Sequence, residues 1–277
     1  MLAMGSVGIT LSTVDPVGAN VFEILKGRGF VEAREGIYAM KDTYLVPVPR
    51  FIVPEDEYKI PSEPNPYPLD FDALAVELGI DYFVVASRHW SKSGQPSLTT
   101  HATGNYGKAV FGGHNRELQA VPPNGLRNVY LAMLRNPPKN FQVSLEATHH
   151  SPTQFLVPMF FAEVGSSPIQ WADLNVCEYL VDAILDGIAS KETVPTSIGF
   201  GGGHYCPKFS IMEREHAFGH IAAKYAFPML TDEMISQMIT KTMGSVSKAY
   251  IESGMNRSYK RMFEAALNRF GVESEVV

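Results

Sequence analysis

The sequence predicts an α/β protein in which helices are layered on a sheet, with right-handed crossovers where its strands are parallel. Extended apolar segments alternate with amphipathic helical ones, the pattern that layers helices on a sheet. The stretch DYFVVAS at 81–87 is a near-continuous apolar run, as expected of a strand covered on both faces. With 277 residues, 45% of them hydrophobic, the chain can bury a sizeable core as one unit spanning 1–277, closed by helices from about residue 209.

Taken in order, VGITLST reads as a first strand. DPVGANVFEILKGRG carries helix punctuation: Asp15 as N-cap, Pro16 in the first turn, and Gly27 or Gly29 as a stop. GIYAMKDTYLVPVP is extended with a turn at Lys41-Asp42, and EDEYKIPSEPNPYPLDFD is a proline-rich surface connection. After DYFVVAS comes a long polar stretch, SRHWSKSGQPSLTTHATGNYG, which reads as a functional loop. PPNGLRNVYLAMLRN is helical, and FQVSL and PMFFAEVG are strands. SSPIQWADLNVCEYLVDAILDGIAS is one long helix from a Ser-Pro cap, and TSIGF is a strand running into a glycine turn. IMEREHAFGHIAAKY, TDEMISQMITKTM and NRSYKRMFEAALNRF read as closing helices.

The balance of 23 Lys and Arg against 29 Asp and Glu argues against indiscriminate nucleic-acid binding. The distribution is uneven, however. Residues 1–80 carry 6 basic and 12 acidic side chains, whereas residues 81–140 carry 7 basic ones and only Asp81 and Glu117. The N-terminus lacks a basic n-region and no run of apolar residues is long enough to span a membrane, so a cytoplasmic protein is expected. Cys177 and Cys206 are in no CxxC pair and are read as thiols.

Ligands of open α/β sheets collect beyond the carboxyl ends of strands. There this sequence places SRH, EATHH, EVGSS and GGGHY. His89, His101, His114, His149, His150 and His204 all fall in loops or at strand ends. Several imidazoles with Glu146 or Glu163 match the nitrogen and oxygen ligand set of a zinc site. A metal-free histidine acid/base arrangement fits the same residues. On a strand, adjacent side chains face opposite ways, so His149 and His150 share a site only if the chain turns there.

Other motifs narrow the chemistry. His216 and His220 read as a pair on one helical face, but Glu215 precedes the first of them, so the zincin pattern HExxH is absent. GFGGGHYCP has four glycines in five positions, permitting close backbone approach and N–H donors for an oxyanion from Gly201, Gly202 and Gly203. It is neither a Walker loop nor GxGxxG opening a helix, and no GxSxG elbow occurs. Cys206 reads as a bystander, and Trp90 and Trp171 as packing residues.

SRHWSKSGQPSLTTHATGN at 87–105, EATHHSPT at 146–153, FAEVGSS at 161–167 with Trp171 following, IGFGGGHY at 198–205, GHI at 219–221 and STVDP at 12–16 together resemble the archaeal and plant type of D-aminoacyl-tRNA deacylase, in order from Ser12 to about Tyr225. One departure is Ser151, where the family pattern has glycine. The resemblance implies hydrolysis of the ester joining a D-amino acid to the terminal ribose of tRNA. It also implies associated zinc and a three-layer α/β/α fold on a mixed, largely parallel sheet, similar to peptidyl-tRNA hydrolase and nucleoside phosphorylases.

Under that resemblance His101, His149, His150 and His204 are the expected metal or water ligands. His149, His150, Glu146 and His204 form the expected catalytic set, and His89 joins the glycines in binding substrate. Arg88, Lys92, Lys108 and Arg116 are candidates to hold phosphates of the tRNA acceptor end. A monomer is expected. The rival readings are another enzyme of the same fold, such as a peptidyl-tRNA hydrolase or nucleoside phosphorylase, and a non-catalytic metal- or RNA-binding protein.

Overall fold

A computed structural model of the protein describes residues 5–49 and 69–277. Most of the expected proline-rich connection lies outside the described residues. Strand β1 (Ser6–Ser12) leads into helix α1 (Pro16–Gly27), whose start is set by Asp15: its Oδ1 accepts from the N–H groups of Val17 and Gly18 at 2.8 and 3.0 Å. β2 (Val31–Arg34), β3 (Ile37–Met40) and β4 (Thr43–Val48) follow, the last two joined by a turn with Lys41 at φ 54°. α2 (Phe71–Leu78), β5 (Ile80–Trp90), β6 (Ser97–His101), β7 (Gly104–Asn105), β8 (Glu117–Leu118) and α3 (Pro123–Met133) carry the chain to its middle. Then come β9 (Gln142–Leu145), β10 (Met159–Ser166), α4 (Pro168–Trp171), α5 (Leu174–Ala189), β11 (Thr196–Phe200), α6 (Pro207–Met212), β12 (Ala217–Ala222), α7 (Asp232–Thr240), β13 (Val246–Ile251), α8 (Arg257–Arg269) and β14 (Glu273–Val276).

The strands form a mixed eight-stranded sheet in the order β2-β3-β4-β1-β5-β10-β6-β9 and a parallel four-stranded sheet in the order β12-β11-β13-β14. On one face of the large sheet, Val17, Val21 and Leu25 of α1 share a core with Val129 of α3, Leu180 and Ile184 of α5, and Ile9, Val84 and Phe160 of the strands. On the other, Phe71 and Leu74 of α2 pack on Phe83, Val85 and Phe161. The first of these cores continues into the small sheet through Phe209, Phe218, Ile221 and Tyr250. The far side of the small sheet is covered by α7 and α8, with Met234, Met238, Phe263 and Leu267 against Ile198, Phe200 and Ile251.

Three expectations are corrected. The polar stretch after β5 is not one loop: Ser97–His101 is a strand threaded between β10 and β9, where Thr99 and Thr100 are fully buried. The long helix breaks in two, because Asp173 accepts from Asn175 N–H at 3.0 Å and caps a fresh start. The chain beyond residue 209 is not helical throughout. It supplies β12, β13 and β14, so His216 and His220 are not on a helix. β12 sends Phe218 and Ile221 to one core and Ala222 to the other, and a strand buried on both faces lacks the alternation that would mark it.

Candidate active site

Register builds the first half of the site. In the large sheet Glu163 on β10 stands opposite Ser87 on β5 and Thr99 on β6. His89 and His101 lie two residues beyond Ser87 and Thr99, so by the period of two they project from the same face as Glu163. Glu163 Oε2 accordingly lies 3.5 Å from His89 Nδ1 and 3.6 Å from His101 Nε2. Because β6 runs antiparallel to β10, the cluster forms along the flank of β10. It is not laid out on the single carboxyl rim that a wholly parallel sheet would offer.

The segment after β9 brings the second half. Glu146 N–H donates to the Thr100 carbonyl at 3.1 Å, placing the carboxylate beside His101's strand. His150 adopts φ 45°, in the left-handed region that β-carbon-bearing residues seldom occupy. That turn is what lets adjacent imidazoles enter one cavity, with His149 and His150 ring centroids 4.4 Å apart and His101 at 4.3 and 4.9 Å from them. From the small sheet, the residues after β11 pair with this segment: Ala147 N–H donates to His204 O and Cys206 N–H to Leu145 O, both at 2.9 Å. His204 thereby reaches Glu146, Nε2 to Oε2 at 3.1 Å.

Each of the three clustered imidazoles is oriented by its own backbone. His101 Nδ1 lies 3.1 Å from Ala102 O, His149 Nδ1 2.8 Å from Ala147 O, and His150 Nδ1 2.5 Å from Ser151 O. A carbonyl only accepts, so each Nδ1 carries the proton. In the neutral rings Nε2 then presents its lone pair. Those nitrogens converge: one ligating atom from each of His101, His149 and His150 lies within 4.8 Å of the others. Among the described residues, buried His101 Nε2 and His150 Nε2 have no hydrogen-bond partner, and neither oxygen of Glu146 has an aligned donor. Orphaned buried atoms of this kind fit a cation, since a metal ion satisfies lone pairs that no protein donor reaches. His89, Glu146 and His204 form a second group within the same span.

The electrostatics divide the histidines. Burial lowers His149 well below the usual imidazole range and, with His101 beside it, lowers His150 to about 4. Burial also opposes charge on His89, but Glu146 and Glu163 outweigh it and raise that group to about 10. His101 is raised for the same reason, chiefly by Glu163. Burial raises the two carboxylates, yet His89 and His204 hold Glu146 well below its ordinary value, and His101 and His89 lower Glu163.

Two recesses open on the cluster. The larger, about 340 Å³, is lined by Lys108, Val110, Phe111, Tyr225, Ala226 and Met229 beside His149, His150 and His204. The smaller, about 180 Å³, is lined by Arg88, His89, Trp90, Phe111 and Glu163 beside the same three histidines.

Of the residues singled out from sequence, His89, His101, Glu146, His149, His150 and His204 come together. His204 groups with His89 and Glu146, not with the three-imidazole set in which it was expected. Arg88 lines the smaller recess, its guanidinium 5.1 Å over the Trp171 ring and its Nε 3.9 Å from Asp15. Lys108 lines the larger. Lys92 is exposed in the turn after β5 and lines neither. Arg116 is engaged elsewhere, donating to Thr231 Oγ1 at 2.7 Å and to the Met229 carbonyl at 3.4 Å.

The glycine turn does not offer the expected donors. Gly201 N–H donates to Ala222 O at 2.9 Å, Gly202 N–H to Glu252 Oε2 at 3.0 Å, and Gly203 N–H to Tyr205 O at 3.2 Å. Its open conformations, φ 147° at Gly201 and 75° at Gly202, serve to lay His204 onto the segment after β9. His114 pairs with Glu117 at 2.6 Å outside the cluster. His220 is buried behind it, Nδ1 3.2 Å from Thr148 Oγ1.

Trp171 packs as expected, donating Nε1 to His89 O at 3.0 Å, whereas Trp90 is 49% exposed. Ser151 is fully buried and lines neither recess. Sequence reading missed Tyr205, whose hydroxyl lies 2.8 Å from His89 Nε2, and the recess residues Phe111, Tyr225 and Met229. Nothing in the spacing of these four marks them.

A crystal structure of a conserved protein of unknown function superposes with a TM-score of 0.85 at 27% identity, covering 98% of this chain and 95% of that one. A D-aminoacyl-tRNA deacylase of Thermococcus onnurineus is 36% identical over 208 residues, 73% of this chain and 76% of that protein. One of Pyrococcus furiosus is 34% identical over 196 residues, 70% of this chain and 72% of that protein. The family model for D-aminoacyl-tRNA deacylases matches residues 76–275, a span running from the end of α2 into the last strand of the small sheet, and the chain belongs to that family.

Proposed function

We propose that this D-aminoacyl-tRNA deacylase hydrolyses its substrate at the histidine and glutamate cluster, with zinc held by His101, His149 and His150. The observation that carries the reading is the convergence of three imidazoles whose Nδ1 atoms are tied to backbone carbonyls, which presets their Nε2 lone pairs. Zinc bound there would supply positive charge to acidify water and to stabilise a developing oxyanion.

The chain's own residues do the rest. Glu146 and His204, 3.1 Å apart, form the acid/base pair, and His204, with 39% of its side chain accessible, is the member that reaches the recesses. A water oxygen attacks the ester carbonyl carbon and gives its proton to this pair. The carbon to ribose-oxygen bond then breaks, and the ribose oxygen leaves with a proton returned from the pair. His89, fixed by Glu146 at 3.2 Å and by the Tyr205 hydroxyl at 2.8 Å, holds the Glu146 carboxylate in place. An aminoacyl ester is an activated acyl group, so no covalent nucleophile is needed, and buried Cys206 takes no part.

The test is release of tyrosine from D-Tyr-tRNA and L-Tyr-tRNA, with and without a chelator, alongside elemental analysis of the purified protein. Chelator-sensitive release from the D ester, together with bound zinc, is expected. Undiminished turnover by protein free of metal would overturn the zinc assignment.

A further inference from the structure

The two recesses meet at His149, His150 and His204, and Phe111 lines both. An ester seated on those histidines therefore has one recess for its acyl half and the other for its alcohol half. Phe111 is tied to the site through its main chain, its carbonyl accepting from Ser151 N–H at 3.3 Å.

The chemistry of the walls distinguishes the two sides. Among the described residues no carboxylate lines the larger recess, and Lys108 stands in its wall. Its aromatic surfaces are open, Tyr225 being 52% and Phe111 37% exposed, and its volume is nearly twice that of its neighbour, about 340 against 180 Å³. A nucleoside with a 5′ phosphate is the bulkier half of the substrate. It carries a π face that stacks on aromatic rings and an anion that suits a lysine and is repelled by carboxylates. Charges in the wall of the smaller recess are already matched, Glu163 by His89 at 3.5 Å and Arg88 by Asp15 at 3.9 Å, so it suits a phosphate less than the wall that holds Lys108. The half-exposed Trp90 indole there offers surface to the side chain of an aminoacyl group.

We propose that the larger recess seats the 3′-terminal nucleoside of tRNA, between Tyr225 and Phe111 with its phosphate at Lys108, and that the smaller recess takes the aminoacyl group against Trp90. This assignment rests on the cluster being the deacylation site. Tyr225 and Trp90 are thus specificity-determining residues acting on opposite halves of one ester.

The experiment compares kcat/KM for three small esters, the D-tyrosyl and D-alanyl esters of adenosine and D-tyrosine methyl ester, in the wild-type protein and in Tyr225→Ala, Lys108→Ala and Trp90→Ala. Tyr225→Ala is expected to lower the preference for the adenosine ester over the methyl ester of D-tyrosine roughly tenfold, while the ratio between the two adenosine esters holds. Lys108→Ala is read on tRNA itself, where KM rises. Trp90→Ala is expected to lower the D-tyrosyl to D-alanyl ratio by a similar factor, with the adenosine to methyl preference held. The reverse pattern, in which Tyr225→Ala alters the amino-acid ratio and Trp90→Ala the alcohol preference, overturns the assignment. Failure of the wild-type protein to release tyrosine from D-Tyr-tRNA would instead overturn the parent reading, so the two failures are distinct.

Discussion

Glu146 and His204 come from segments that follow strands of different sheets, yet Oε2 and Nε2 lie 3.1 Å apart. The contact is supported on both sides by main-chain hydrogen bonds, Ala147 N–H to His204 O and Cys206 N–H to Leu145 O. The proposed acid/base pair is therefore set by backbone pairing between sheets, and its first consequence is chemical. Glu146→Gln keeps the shape of the side chain but removes the charge that orients His204 and His89. It is expected to lower kcat by about 10²–10⁴, read in single-turnover deacylation, with KM for tRNA little altered. A variant with near-native kcat would exclude Glu146 from the chemistry.

Zinc binding should couple to folding. A ligand that binds only the native state stabilises it by about 2.7 kcal/mol at a hundred times its Kd. Thermal unfolding with added zinc, compared with chelator, is expected to show a raised Tm in the wild-type protein. His149→Ala should abolish the difference and reduce the metal content found by elemental analysis. Equal Tm values in both conditions for the wild type would count against a native zinc site.

Glu213 provides a pH signature away from the site. It is fully buried, and burial raises it well above the ordinary carboxylate range against the opposing Phe218 N–H and Arg127. The folded protein thus binds this proton more tightly than the unfolded chain does. The contribution is complete below the unfolded value, roughly pH 4.3, and is lost as pH rises from there towards the folded value. Glu213→Gln should flatten that decline, becoming more stable than the wild type at pH 8 than at pH 5 by about 1–3 kcal/mol in denaturant melts. Parallel stability curves for the two proteins would refute this.

Close approach of helices makes Gly187 intolerant of a methyl group. A Cβ there would lie 2.5 Å from Val129 Cα and 2.7 Å from Val129 N, so the backbones of α5 and α3 would have to separate. Gly187→Ala is expected to cost about 1–3 kcal/mol in chemical denaturation. A neutral result would mean that the two helices pack less tightly than these distances require.

Phosphate binding can be read through salt. Lys92 and Lys108 are both exposed, and Lys108 borders the larger recess. Charge reversal at each should raise KM for D-aminoacyl-tRNA and reduce the slope of log KM against log salt by about one for each phosphate left unneutralised. Arg116, engaged with Thr231 and Glu233, should show little change in that slope. An unaltered slope at both lysines would remove them from the tRNA path.

What the sequence disclosed and what it hid follow from the same physics. β5 and β10 were legible because strands buried on both faces are apolar almost throughout, and α1 because Asp15 and Pro16 mark its start. β6 was hidden because SLTTH is polar: its hydroxyls are buried, and its last residue, His101, faces the cluster. β12 was hidden because the four-residue spacing of His216 and His220 imitates a helical face. The histidines and Glu146 were identifiable because residue type and strand-end position both point to chemistry. The division of roles between His204 and the three-imidazole group was not, because it depends on how one sheet meets another, and no local pattern encodes that. Nor could glycine spacing reveal that the N–H groups of Gly201, Gly202 and Gly203 already have acceptors.

The proposed acid/base pair, shared across two sheets, also makes turnover a gauge of their docking. Loosening of the small sheet would silence the enzyme by withdrawing His204 while leaving His101, His149 and His150 assembled on the large one. Inactivation on mild heating would then precede release of any bound metal, because His204 alone of these residues is carried by the small sheet.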